Sequence, residues 1–223
     1  MSSHSALPSE PFRLDFAGLR VLFVMALDAE YGPHLRSLMT PLFIGVGPIE
    51  AVLHTALALQ TLAGGDGLPD LVVSLGSAGS QTLTQGEIYQ VSSVSWRDID
   101  GSPIGFPKGL TPFLDLPAEV PLPTPLANIA AARLSSGAAF ISGDGYAAID
   151  AEMVDMETFS VMRACHRFSV PMLGLRGISD GAEELRRYSD WAKLLPVLDE
   201  KLADTLGRLE TLLRAEGLNA LKG

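Results

Sequence analysis

Acidic and hydroxyl side chains recur at one kind of position in this chain, immediately after an apolar run. The run at 20–26 leads to Asp28 and Glu30, and the run at 70–75 leads to Gly76-Ser77-Ala78-Gly79. The run at 138–142 leads to Asp144 and Tyr146, and the run at 170–179 leads to Asp180. A further carboxylate, Glu157, follows Val154-Asp155-Met156 in largely apolar surroundings. Carboxylates in different environments can divide proton work: one kept neutral gives a proton, another kept ionised takes one or stabilises positive charge. Each residue alone has a plainer reading. Glu30 suits the start of a helix, where negative charge is favourable, and Asp180 suits the N-cap of a helix over 181–187. Glu157 suits a solvated helix face or an ion pair with Arg163 or Arg176, and Gly76–Gly79 suits a tight turn. It is their joint placement that points to a site.

The runs themselves predict the elements that hold these groups. Residues 20–26, 42–46 and 70–75 are continuous apolar stretches rich in β-formers, as expected of strands covered on both faces. Residues 87–96 are β-rich and 138–142 form a short strand candidate. Pro48 opens a helical pattern over 48–63 that Gly64-Gly65 closes, the usual punctuation of a helix. Residues 151–168 read as a helix carrying Glu157, 170–179 as a strand, and 189–216 as a long amphipathic helix. The Gly/Pro-rich stretch 101–125 is too irregular for core elements and long enough for a functional loop. Strands alternating with helices imply a three-layer α/β fold, a mixed and mostly parallel central sheet flanked by helices. Ligands in such folds gather beyond the carboxyl ends of the strands, where the acidic groups stand. Residues 1–19 read as a polar, loosely held lead-in, and 20–223 as a single domain.

Other patterns point elsewhere or nowhere. Gly45-Val46-Gly47-Pro48-Ile49-Glu50 imitates a dinucleotide fingerprint but has Glu50 at the third glycine, and no Walker lysine follows Ser77. Cys165 and His166 are neighbours on a predicted helix and point in different directions. His4, His34 and His54 lack metal-ligand spacing, so neither a metal nor another cofactor is expected. With 26 acidic against 16 basic residues and a net charge of −10, the surface repels phosphate backbones and anionic lipids, which argues against nucleic acid or membrane partners. The single cysteine rules out an internal disulfide, which fits a reducing, cytoplasmic setting. Residues 1–20 carry no apolar signal-peptide core, and no apolar run is long enough to span a bilayer.

Taken in order, six segments resemble one family. They are Met25-Ala-Leu-Asp-Ala-Glu30, Gly45-Val-Gly-Pro-Ile-Glu-Ala51, Pro69 through Gly79, Ile141-Ser-Gly-Asp-Gly-Tyr146, Val154-Asp-Met-Glu157 and Arg176-Gly-Ile-Ser-Asp180. Together they resemble the nucleoside phosphorylase and nucleosidase superfamily, and within it the 5'-methylthioadenosine/S-adenosylhomocysteine nucleosidases. By that resemblance Glu30 is the water-activating base, Ser77 and Gly79 lie by the substrate pocket, and Met156 and Glu157 clamp the ribose. Tyr146 stands where an aromatic ring stacks on the purine, the Ala147 backbone meets the base edge, and Asp180 protonates N7 of the leaving adenine. The resemblance also implies a homodimer in which the loop containing Phe106 covers the 5' substituent of a small-molecule nucleoside in a neighbouring subunit.

These residue types answer the chemistry such a reaction requires. Adenine leaves poorly as an anion, so a proton must arrive as the glycosidic bond breaks, while carboxylates stabilise the oxocarbenium character of the sugar. Asp180 must then be held protonated, and Glu30 ionised. Phosphorolysis is the nearest competitor, beside hydrolysis of another nucleoside-like metabolite such as futalosine and a catalytically silent nucleoside-binding protein, against which the joint presence of Glu30, Glu157 and Asp180 argues. Asp28 and Glu30 in the loop after the first strand would repel a phosphate dianion, which favours water as nucleophile. One difference from the family is local: only eight residues separate Tyr146 from Asp155, a shorter connection on the purine side of the pocket.

Overall fold

The computed structural model describes residues 15–181, 183, 185 and 187–222. Its layers follow from alternation along the strands. Strand β1 (Asp15–Phe16) turns through Ala17 and Gly18, both at positive φ, onto β2 (Leu19–Met25), which it pairs antiparallel. In β2, Val21, Phe23 and Met25 face one apolar cluster while Leu22 and Val24 face another. The period-two geometry of a strand makes this unavoidable for a run apolar at every position. Helix α2 (Pro48–Gly64) and helix α3 (Thr158–Phe168) cover one face. Helix α1 (Pro33–Arg36) and the C-terminal helix α5 (Leu195–Glu216) cover the other.

The sheet has mixed pairing. Strand β2 runs parallel to β3 (Leu42–Phe43) and β4 (Leu71–Gly79), and β4 runs parallel to β9 (Met172–Asp180). Strand β5 (Ile88–Trp96) is antiparallel to β9 but parallel to β7 (Ala131–Ser136), and carries β6 (Glu119–Pro121) antiparallel at its edge. Strand β8 (Met153–Asp155) lies parallel to β7 and returns to β4 through the antiparallel pair Gly79 and Val154. The path β4–β9–β5–β7–β8–β4 therefore closes on itself, and the ends of β4, β8 and β9 meet at its rim.

Several sequence expectations are corrected here. The strand expected at 138–142 is a loop; the preceding β7 takes the place in the sheet, with the charge of Arg133 met by Glu152 and Asp150. The helix expected over 151–168 begins only at Thr158, because Met153–Asp155 is drawn into the sheet, and Glu157 becomes its N-cap. The stretch 101–125 is largely irregular but contributes β6. The helix expected over 189–216 is two: α4 (Tyr188–Ala192) and α5, with Pro196 in the first turn of α5. Proline there supplies no N–H to extend the earlier helix. Asp15 to Leu19 is not loose, since Phe16 packs edge-on against Phe23 with ring centroids 5.1 Å apart. Residues 1–14 of the expected lead-in, and residues 182, 184 and 186 of the helix considered after Asp180, lie outside the described residues. Among the described residues no helix is long and apolar enough to cross a membrane.

Candidate active site

Parallel β2, β4 and β9 deliver their carboxyl ends to the same rim. After β2 the chain enters a single 3-10 turn, Asp28–Glu30, which points Glu30 inward; it is buried, whereas Asp28 stays exposed and pairs with Arg36. Between β4 and β9 the register slips: Ala78 pairs with Ile178 but Gly79 with Asp180, leaving Ser179 as an extra residue. A bulge of this kind re-aims the side chain that follows it, and here that side chain is Asp180. At this rim lies a cavity of about 450 Å³ whose walls include Glu30, Ser77, Gly79, Met156, Glu157 and Asp180. A narrow recess of about 10 Å³ adjoins it between Glu30, Ser77, Glu157 and Arg176, close to the volume one water molecule requires.

The carboxylates differ in what holds them. Glu30 Oε1 accepts from the Ser77 backbone N–H at 2.7 Å and from the Ser77 hydroxyl at 2.6 Å, while its Oε2 is buried without a partner. Burial raises its pKa, opposed by the two Ser77 bonds and by the charge of Arg176. Glu157 Oε1 accepts from the backbone N–H of Gly47 at 2.7 Å. Burial, with repulsion from Asp155 second, carries the Glu157 carboxyl to about 7. Asp180 is buried, accepts from the Ser179 hydroxyl, and has its pKa raised by burial against that bond. A carboxylic acid held protonated toward neutral pH is a competent proton donor. The cavity thus gathers three carboxyl groups with raised pKa values, one of which, Glu30, keeps an oxygen without a partner.

Three predicted residues are not on the cavity wall. Tyr146 is buried beside it, in the 3-10 segment Gly143–Ala148, with its hydroxyl unpartnered. A Cβ built on Gly79 would lie 2.3 Å from that hydroxyl and 3.0 Å from Asp180 Oδ2, so any larger residue there would push one of these side chains aside. Burial and the charge of Asp180 both raise the Tyr146 pKa, keeping the phenol protonated. Ala147 is exposed and outside the lining, and Phe106 packs edge-on with Phe113 in the loop after β5. In place of Tyr146, the ring facing the cavity from this side is Phe140, on the loop that was expected to be a strand.

Four further groups escaped sequence reasoning. Arg176 does not pair with Glu157; it forms a buried ion pair with Asp155, at 3.1 Å from Nη2 and 3.2 Å from Nε, and also donates to Ser74 and Thr158. Both residues sat within the recognised motifs, but spacing alone does not reveal a pair brought together by two strands. Arg97, just past β5, donates to the carbonyls of Ser135, Gly137, Ala139 and Asp155 and so ties the Phe140 loop to the rim. Trp191 and Tyr188, from α4, form the remaining wall with rings 5.2 Å apart, and nothing in their local spacing announced it. Among the described residues no group of three or more His, Cys, Asp or Glu is arranged to hold a metal ion.

A twisted mixed sheet between helices, with carboxylates converging at its rim, is the architecture of the phosphorylase superfamily, and the chain belongs to it: the sequence model of that superfamily matches residues 32–209. Within the superfamily it stands with the nucleosidases. It is 31% identical over 180 residues to the 5'-methylthioadenosine/S-adenosylhomocysteine nucleosidase of Glaesserella parasuis serovar 5 (strain SH0165), covering 72% of this chain and 75% of that protein. Solved structures share the fold. The Campylobacter jejuni nucleosidase of the same name superposes with a TM-score of 0.72 at 19% identity, covering 87% of this chain and 100% of that one. A futalosine hydrolase mutant of Helicobacter pylori strain 26695 gives 0.71 at 19% identity, covering 86% and 97%.

Proposed function

We propose that this enzyme hydrolyses the N-glycosidic bond of 5'-methylthioadenosine, S-adenosylhomocysteine or both, releasing adenine. The observation that carries the reading is the convergence of Glu30, Glu157 and Asp180, distant in sequence, on one cavity, each anchored by a different donor: Ser77, Gly47 and Ser179. Asp180 gives its proton to N7 of adenine as the C1'–N9 bond breaks, and the bonding pair leaves with the base. Glu157, anchored at the Gly47 N–H, holds the sugar hydroxyls, and the ionised carboxylates stabilise the positive charge that develops on the ring. Water in the recess loses a proton to Glu30 and its oxygen bonds to C1'. The products are adenine and the free 5-thio-substituted ribose.

Water is favoured over phosphate by charge. Glu30 lines the cavity that a dianion would have to enter, and the terminal nitrogens of Arg97 and the guanidinium of Arg176 are committed to carbonyls, hydroxyls and Asp155. A homodimer belongs to the same proposal. On α2, Ile49, Leu53 and Leu57 form an exposed apolar row at four-residue spacing, 74%, 49% and 44% exposed, and Val46, just before the helix, reaches the cavity wall. The buried free thiol of Cys165 and the kinship to the nucleosidases support a cytoplasmic role in methionine salvage.

The test is chromatographic detection of free base from a panel of methylthioadenosine, S-adenosylhomocysteine, 5'-deoxyadenosine and futalosine, with and without phosphate. Adenine should appear from the first two at the same rate in both buffers, and Asp180→Asn should lower that rate by about 10²–10⁴-fold, the usual worth of a general acid. Release that requires phosphate, or none from either thio-substrate, would sink the reading.

A further inference from the structure

The hydrogen bonds around the base run in one direction. The indole nitrogen of Trp191 can only donate, and it donates to Ser77 Oγ at 3.0 Å. A serine hydroxyl has a single proton. With the indole N–H directed at one of its lone pairs, the Ser77 hydroxyl is left to send that proton to Glu30 Oε1, at 2.6 Å, beside the Ser77 backbone N–H at 2.7 Å. Oε1 is thereby held by two donors, and Oε2, buried and unpartnered, is the oxygen available to water. Gly76 keeps the carboxylate uncrowded, since a Cβ there would stand 3.3 Å from both of its oxygens.

We propose that Trp191 is a positioning residue for Glu30, acting through Ser77 to fix which carboxylate oxygen is occupied and which takes the proton of the attacking water. The proposal rests on the nucleosidase reading and adds to it a link between the α4 wall of the cavity and the base. Without the indole N–H the Ser77 hydroxyl is free to rotate toward substrate or solvent, and Glu30 loses a donor that favours its ionised form. The charged groups that face Glu30 from other elements are Arg176 on β9, Asp155 at the end of β8 and Glu157 at the N-cap of α3. On its own turn, Asp28 is exposed and engaged by Arg36. Replacing the indole alters none of these charges.

The sign of the effect follows. Losing a donor to the carboxylate raises the Glu30 pKa, so the acid limb of kcat/KM moves to higher pH. Trp191→Phe keeps an aromatic ring against Tyr188 and removes the donor, with a smaller ring left on the cavity wall. Wild-type adenine release is measured first; if it is absent, the nucleosidase reading fails independently of Trp191. Given wild-type activity, Trp191→Phe should lower kcat about tenfold with KM little changed, and shift the acid limb upward by about one pH unit. Trp191→Phe with Ser77→Ala should be no slower than Ser77→Ala alone, because the indole acts through that hydroxyl. An unshifted acid limb, or additive losses in the double variant, overturns the proposal. A second measurement does not depend on that variant folding. The chain has two tryptophans, hence two indole N–H resonances, assigned by the loss of one in either single Trp→Phe variant. The Trp191 resonance should titrate with the acid limb in wild type and stop doing so in Glu30→Gln. A resonance indifferent to Glu30 overturns the proposal equally.

Discussion

Burial lifts the Glu157 carboxyl to about 7, so the folded protein holds that proton more tightly than an unfolded chain, where the ordinary value is 4.5. The stabilisation this represents is complete below about 4.5 and is lost as pH rises through about 7. Glu30 and Asp180 are raised as well and act in the same direction. Above neutrality the site therefore carries a buried charge that costs the fold stability. Glu157→Gln removes it while leaving an amide oxygen to accept from Gly47. The variant should melt several degrees above wild type at pH 8, with an upper bound of about 3 kcal/mol from the size of the shift. The gain should vanish near pH 4.5 while adenine release is lost at every pH. Calorimetry across that range decides it: a variant less stable than wild type at pH 8 would mean the carboxylate stabilises the fold. Residue types were legible where chemistry restricts them, as with Asp180, Glu30 and Ser77. The contacts of Tyr146 were not, because its placement depends on a connection whose path the sequence does not specify.

Elements were legible in proportion to length and burial. The apolar runs of β2, β4 and β9 declare themselves because both faces are covered, and Pro48 and Gly64 bracket α2. β8 was missed for the opposite reason: its three residues continue into α3 without a glycine or proline between them, so the helical pattern absorbed them. That strand matters beyond its length, since Asp155 at its end joins Arg176 of β9, Thr158 of α3 and, through Arg176, the hydroxyl of Ser74 in β4. Removing the cation should expose how much this junction holds. Arg176→Met leaves Asp155 buried without its counter-charge, and unfolding in urea should show a loss of about 3–5 kcal/mol. Adding Asp155→Asn should restore part of it by removing the stranded charge. A loss below about 1 kcal/mol would mean that the rim is held by the strand ladders alone.

At the scale of the whole molecule, apolar surface lies where solvent alone gives no reason for it. Ile49, Leu53 and Leu57 form a row on α2, the opposite side of that helix from its buried Ala58 and Leu62, and Val46 carries the surface to the cavity. Phe113 is 95% exposed and sits at φ 61, a backbone conformation unfavourable for a bulky side chain. Within the chain its ring meets that of Phe106, with centroids 5.4 Å apart. A second copy meeting the first across α2 would cover the apolar row and bring such a loop toward the partner's cavity, giving the 5' substituent an apolar neighbour. Ile49→Asp with Leu53→Asp places two charges in that contact without touching the buried side of α2. The double variant should sediment as a monomer with unchanged circular dichroism and a raised KM for methylthioadenosine, because the apolar 5' group would lose the wall that a second copy would supply. Phe113→Ala should raise KM in the same way while remaining a dimer, separating assembly from substrate contact. If the double variant stays dimeric, or the wild type is itself a monomer with full activity, the cavity is complete within one chain and the α2 face serves another purpose.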